Sequence, residues 1–232
     1  SEGNPLFLTE TVQTLIESGE LDAGRAGRAV PADVETWPVP ARIQRVIQDR
    51  TASLPETARR VLAAGAVIGR PFGPVLVRRV SGMPEPDVIE AVNRALRRGF
   101  LDERSGHGPE ASLTFHHSYI RRVIEGGLSA IQRQALHRRA GEALLALNQA
   151  RPQAVIEEVA HHFEQAGDPR AVTYLVEAAE QAEALYAYGN ATAYLTRALA
   201  RLDPTQPEDR ERRFDLLLER ETLLDRQGRR AE

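Results

Sequence analysis

Six histidines are the side chains here whose type suits chemistry near neutral pH. Four of them stand as adjacent pairs, His116-His117 and His161-His162. Neighbouring positions on a helix point about 100° apart, so such a pair does not converge on one ion from its own helix. His-x-x-x-His spacing, which sets two rings on one face, is absent, and His137 stands alone. No metal site is expected on these grounds. Cysteine is absent as well, which excludes disulfides and thiolate metal sites. There is no Gly-x-x-x-x-Gly-Lys-Ser/Thr run to cradle phosphates with backbone amides. Nor is there an apolar strand ending in acidic residues to hold Mg²⁺. Phosphoryl transfer would lack both positioning and charge stabilisation. No Ser–His–Asp set or carboxylate pair offers itself, because the acidic residues fall on the polar faces of helices. The expectation is a chain with no catalytic residues, not an enzyme by itself.

These side chains must be held by a soluble helical scaffold. Of the 232 residues, 42% are hydrophobic and 27% charged, ordinary for a globular protein that builds its own core. The net charge of -3 argues against a dedicated nucleic-acid binder. Arginine supplies the positive charge, in an Arg-, Ala- and Leu-rich composition like that of a high-GC bacterial genome. No apolar run reaches the roughly 20 residues that span a bilayer, so no membrane contact is expected and the cytoplasm is the expected location. Ser1 is expected to lie inside a longer chain, and Glu232 to interrupt a helical pattern.

Spacing predicts helices over Pro5 to Ser18 and Pro40 to Thr51, separated by an irregular Gly- and Pro-containing stretch. Ser53-Leu54-Pro55-Glu56 reads as a helix start with Ser53 as N-cap. A helix over Pro55 to Ile68, a short one over Phe72 to Val80 and a longer one over Pro86 to Arg98 follow, ended by Gly99. Phe100-Leu101-Asp102 and Leu113-Thr114-Phe115 then bracket a polar loop and read as two short strands, with a further helix from His117. Three helices followed by two strands is the winged-helix order. Helix Pro86 to Arg98 would be its recognition helix, with Arg94, Arg97 and Arg98 at the C-terminal end. Such helices present N-terminal residues to bases, and here Glu85, Asp87 and Glu90 occupy that end. DNA binding through this region is therefore disfavoured.

Beyond Ile131 the pattern is helical throughout, with Ala135, Leu136, Ala140, Ala143, Leu144 and Leu147 as one expected stripe. Gly167-Asp168-Pro169-Arg170-Ala171 leads to Tyr174-Leu175 and Ala178. Gly189-Asn190-Ala191-Thr192-Ala193 leads to Tyr194-Leu195 and Ala198-Leu199, and Gly228 opens the motif again. A turn glycine followed by small residues and an aromatic is how tetratricopeptide-like (TPR) hairpins look, although the spacing departs from the standard repeat of about 34 residues. Gly167 and Gly189 are expected at helix–helix turns.

Several blocks together resemble the STAND class of the AAA+ superfamily, the signal-transducing ATPases with numerous domains. Glu2-Gly3-Asn4-Pro5-Leu6-Phe7-Leu8 is similar to the motif that opens their helical lid. Val39-Pro40-Ala41-Arg42-Ile43, Leu54-Pro55 and Ala66-Val67-Ile68-Gly69-Arg70-Pro71-Phe72 resemble the run from lid to winged helix. Leu113-Thr114-Phe115-His116-His117-Ser118-Tyr119-Ile120-Arg121 resembles the end of that winged helix. His137-Arg138-Arg139 and Ala160-His161-His162-Phe163 before Ala166-Gly167-Asp168 are similar to the helical repeats beyond it. The resemblance implies a mainly α chain: the end of an ATPase lid over 1–54, a winged helix with a two-stranded wing over 55–128, and an incomplete TPR-like array over 129–232. It also implies ATP or ADP bound by an upstream ATPase core in cis, with none bound by this chain alone. Pro5 would pack on adenine. A winged-helix histidine, aligned to His117, would reach the β-phosphate of ADP; His116 and Ser118 stand where plant and animal relatives carry methionine and aspartate. The repeats would sense a protein or small-molecule effector, in a bacterial signalling or transcriptional regulator. The alternatives are a winged-helix DNA-binding regulator with a helical effector region and a TPR-type protein-interaction scaffold.

Overall fold

The computed structural model describes residues 39–104 and 112–228. The expected first helix with its Pro5, and residues 105–111 of the expected polar loop, lie outside the described residues. The described chain is mainly helical, with one two-stranded antiparallel sheet. In chain order the elements are α1 (Ala41–Ala52), α2 (Glu56–Ile68), α3 (Pro74–Ser81), α4 (Glu85–Arg97), β1 (Leu101–Arg104), β2 (Ser112–Phe115), α5 (Ser118–Gly126), α6 (Ala130–Leu147), a 3-10 turn at Pro152–Val155, α7 (Ile156–Gln165), α8 (Ala171–Ala184), α9 (Tyr188–Leu199) and α10 (Pro207–Arg226). They form two compact units: 39–71 with 86–127, and 72–85 with 128–228. The sequence reading kept 55–128 together. The structure instead groups α3 with the later helices, because its buried Leu76, Val77 and Val80 belong to a helix that packs on α6.

In the first unit, α1 and α2 pack on α5. The inner face of α2 is broad: Ala58, Val61, Leu62, Ala64 and the run from Gly65 to Ile68 are all buried. Ser53 does not cap this helix. It is the C-cap of α1, where its hydroxyl donates to the Arg50 carbonyl at 2.7 Å, and Pro55 is the N-cap of α2. The proline ring fixes φ at a value that suits this position, and no side chain caps the helix. Gly99 (φ 67°) ends the turn after α4 and sends the chain into β1. The strands pair Leu101 with Phe115 and Glu103 with Leu113, burying Leu101 and Leu113. Arg50 secures the entry: it donates to the Arg98 carbonyl at 2.5 Å and lies 4.9 Å from the buried Phe100 ring.

In the second unit each helix leans on its neighbour: α6 on α3 and α7, α7 on α8, α8 on α9, α9 on α10. Helix α6 opens with a capping box, Ser129 and Gln132 each bonding the other's backbone N–H. Its buried stripe is His137, Ala140, Gly141, Ala143 and Leu144, while Ala135 and Leu147 of the expected stripe are exposed. The helix is rotated because α7 approaches at Gly141. A Cβ there would stand 2.9 Å from the Phe163 ring, closer than real packing allows. Gly167 (φ 65°) makes the turn between α7 and α8, as its type suggests. Gly189 does not make the next one. It lies inside α9, and Tyr186 (φ 59°) is the left-handed residue between α8 and α9. Leu175, Ala178, Leu195, Ala198 and Leu199 are buried, and Tyr174 and Tyr194 are partly so.

Asp168 locks the α7–α8 turn. It is 6% exposed, accepts from the Arg170 backbone and guanidinium at 2.8–3.0 Å, and accepts from Arg138 of α6 at 3.2 Å. The Arg170 hydrogen bond, with help from its charge and that of Arg138, holds this carboxyl down to about 2 against burial that would raise it. A depressed carboxyl stabilises the fold above its ordinary titration range, near 3.8, and the effect disappears as pH falls towards 2. Asp168→Asn should therefore lose roughly 2 kcal/mol at pH 7 and flatten the acid limb of the stability profile between those values. Urea titrations at pH 7, 4 and 2.5 check this; an unchanged acid limb would exclude the lock. Ala198 of α9 is fully buried in the apolar core that α9 shares with its neighbours, and Ala198→Trp should cost at least ~1–3 kcal/mol by overpacking. Hydrogen exchange should show the loss within the second unit, since stacked helices depend on their neighbours. Equal loss over 86–127 would mean one cooperative core.

Candidate functional site

Two histidine clusters carry the candidate chemistry, one in each unit. In the first unit, β2 delivers His116 and His117 to the start of α5. The His116 backbone N–H donates to the Phe100 carbonyl at 3.0 Å, extending the ladder by one residue. Its Nδ1 meets both carboxylate oxygens of Asp102 at 2.8 and 3.0 Å, with both side chains about half exposed. His117 is the N-cap of α5 (φ -140°, ψ 142°); its carbonyl accepts from Ile120, and its half-buried ring makes no capping bond to the helix. The two rings lie 4.4 Å apart, centroid to centroid. The family resemblance singles out His117, and the structure sets it at the N-terminus of α5, the positive end of a helix dipole. Pro5, its expected partner in nucleotide binding, lies outside the described residues.

The arginines at the end of α4 gather in the same unit. Arg94, Arg97 and Arg98 line a shallow cleft of about 340 Å³ with Ser53, Leu54 and Pro55. Arg94 also pairs with Glu90 one turn earlier, at 3.1 Å.

The second cluster is one that sequence reasoning missed. His137 of α6 and His162 of α7 are both buried, with their Nδ1 atoms 2.9 Å apart. One Nδ1 must carry the proton and donate while the other accepts. The exposed His161 completes a triangle of rings with centroids 5.2 to 5.9 Å apart. A ligand nitrogen from each of the three lies within 4.8 Å of the others. Burial pushes His137 down to about 4, aided by the His161 and Arg133 charges. Burial also lowers His161, with Arg197 acting in the same direction and Glu164 opposing. By spacing alone an adjacent pair is expected to diverge; in the structure a nitrogen of His161 and one of His162 nevertheless lie within 4.8 Å of each other, and a third ring enters from the helix packed against them. The available signal was spacing. His137 precedes Ala140 and Leu144 by three and seven residues, and His162 follows Val159 by three, so both histidines lie on core-facing stripes.

No family model and no solved structure matches this chain. It is 29% identical over 205 residues to an uncharacterized protein of Rhizobium meliloti (strain 1021), a match covering 86% of this chain and 19% of that protein. The chain thus spans 19% of the length of that relative. Among the described residues, no helix is long and apolar enough to cross a membrane.

Removing one partner of the His137–His162 contact leaves a buried ring nitrogen unpaired. With chelator present, His162→Phe should cost about 1–3 kcal/mol, and adding His137→Leu should cost less than the sum of the single changes. Denaturant titration of the four proteins of this cycle checks the coupling; strict additivity would mean that the two nitrogens do not interact.

Proposed function

We propose that this chain is a regulatory segment of a STAND-type signal-transducing ATPase. A lid end and winged helix would close over nucleotide held by an upstream core. Helical repeats would sense a partner and bias that closure. The observation that carries the reading is the placement of His117: it caps a helix directly after a two-stranded hairpin that itself follows the helical run, as the family resemblance requires of a phosphate-sensing histidine. The chain of helices from α6 to α10, each resting on the next, supports the sensing role, since such arrays offer long surfaces to protein partners. Nucleotide state and effector binding would then be thermodynamically linked, and the parent protein would work in the cytoplasm with ATP or ADP as its ligand.

A second reading, a winged-helix DNA-binding regulator, draws on the three arginines that line the cleft beside Pro55. The acidic residues Glu85, Asp87 and Glu90 at the other end of the same helix weigh against it. Binding to duplex DNA that weakens steeply with salt would favour this second reading.

In the full-length parent, His117→Ala should release ADP faster and shift the protein towards its active state, by a factor of about 5 to 150 for the loss of one hydrogen bond to phosphate. Nucleotide release followed by stopped flow, beside the output activity, tests it. Unchanged release and output would make His117 a structural residue alone.

A further inference from the structure

We propose that His137, His161 and His162 bind one divalent transition ion of the zinc type, clamped between α6 and α7. The inference is independent of the nucleotide reading, because it concerns only the second unit. Three ligand nitrogens within 4.8 Å of one another already sit near a common point. Zinc takes imidazole nitrogens at about 2.0–2.1 Å, which puts two ligands of a tetrahedral ion roughly 3.4 Å apart. The Nδ1 atoms of His137 and His162 are 2.9 Å apart, so they need to open by only about 0.5 Å as the ion replaces their shared proton. His161 is exposed, so it gives the ion a path from solvent and leaves a position for water. Three protein nitrogens plus one solvent position is an arrangement that zinc accepts.

The donor set decides the metal class. It is imidazole throughout, without carboxylate or thiolate, which suits zinc, copper, nickel or cobalt and not calcium or magnesium. The ligating form of imidazole is the unprotonated one, and the contact between the His137 and His162 Nδ1 atoms already requires one of the two to be unprotonated. The charged groups facing the cluster are Arg133 from α6, Glu164 from α7 and Arg197 from α9. Glu164 accepts from both Arg197 and Arg201, so part of the positive field is neutralised before an ion arrives. His137 and His162 are 2% and 3% exposed, so their positions are fixed by the packing of two helices and little freedom is lost on ligation.

The test uses the 232-residue chain stripped with chelator and titrated with zinc chloride in a calorimeter, with magnesium chloride as control. The expected result is one zinc per chain, no magnesium binding, and a thermal midpoint that rises with zinc. His161→Gln, at an exposed position that leaves the core intact, should weaken zinc at least ~10-fold, since even outer partners of metal sites produce losses of that size. The double variant His116→Gln/His117→Gln should bind zinc as the parent does. Absence of zinc binding, equal affinity in His161→Gln, or loss of binding in the His116/His117 variant instead would each overturn the proposal. Circular dichroism of His161→Gln without metal keeps the comparison between folded proteins.

Discussion

The second unit depends on where Phe163 sits. Its fully buried ring presses against Gly141 of α6, where no side chain would fit. Tyr174 of α8 lies 5.3 Å away, centroid to centroid, and the Arg170 guanidinium stands 4.2 Å over the face of the ring. The Phe163 carbonyl accepts from Asp168 at 2.9 Å. One residue thus fixes the distance between α6 and α7 and anchors the turn that launches α8. Interiors tolerate neither voids nor extra volume, so the small residue opposite Phe163 is as much a part of the contact as the ring itself. The rotation of α6 follows from this contact. With Gly141 facing inward, His137 one turn earlier must face inward too, and so a polar ring enters the core.

Around this contact, ion pairs link elements that the apolar core alone would leave loosely aligned. Arg170 reaches Asp168 and Glu142, joining the turn to α6. Glu164 of α7 holds Arg197 and Arg201, joining α7 to α9 and the residues after it. Arg213 of α10 donates to the Leu199 and Leu202 carbonyls, satisfying the end of α9. Exposed pairs such as Arg59–Glu56 contribute little by comparison, because water competes for both charges. The buried Asp168 is different: its partners are the only compensation for its burial, so removing them exposes the whole desolvation penalty.

Much of this was legible in the sequence, for local reasons. Glycines at the ends of helices, Gly69, Gly82, Gly99 and Gly167, adopt the left-handed backbone that L-residues avoid, so they punctuate the chain wherever they occur. The hairpin was visible because Phe100-Leu101-Asp102 and Leu113-Thr114-Phe115 bracket a polar, Gly-containing stretch of sequence. What was not legible depended on partners. Ser53 looked like a cap until the proline two residues on took the position. Gly189 looked like a turn, yet the exposed Tyr186 takes the left-handed backbone instead. The grouping of α3 with α6 is a tertiary choice that no periodicity encodes. The same is true of the histidine cluster: each ring is ordinary on its own helix, and only the packing of α6 on α7 makes three of them neighbours.

A polar ring in a helix–helix contact has to repay its desolvation, and the cluster offers two ways of doing so. A shared proton between His137 and His162 satisfies one nitrogen on each ring and holds the two helices in register. An ion in the same place would satisfy the third ring as well and would bind the folded state only, so its concentration would set the stability of the α6–α7 pair. In an array whose members rest on their neighbours, such a local change is felt first by α8, through Phe163 and Tyr174, and more weakly by each helix beyond. The cluster therefore occupies the point at which a small ligand could stiffen the start of the array without touching its outer surface. Ligation would act on the array through the contacts of Phe163, with Gly141 on one side and Arg170 on the other.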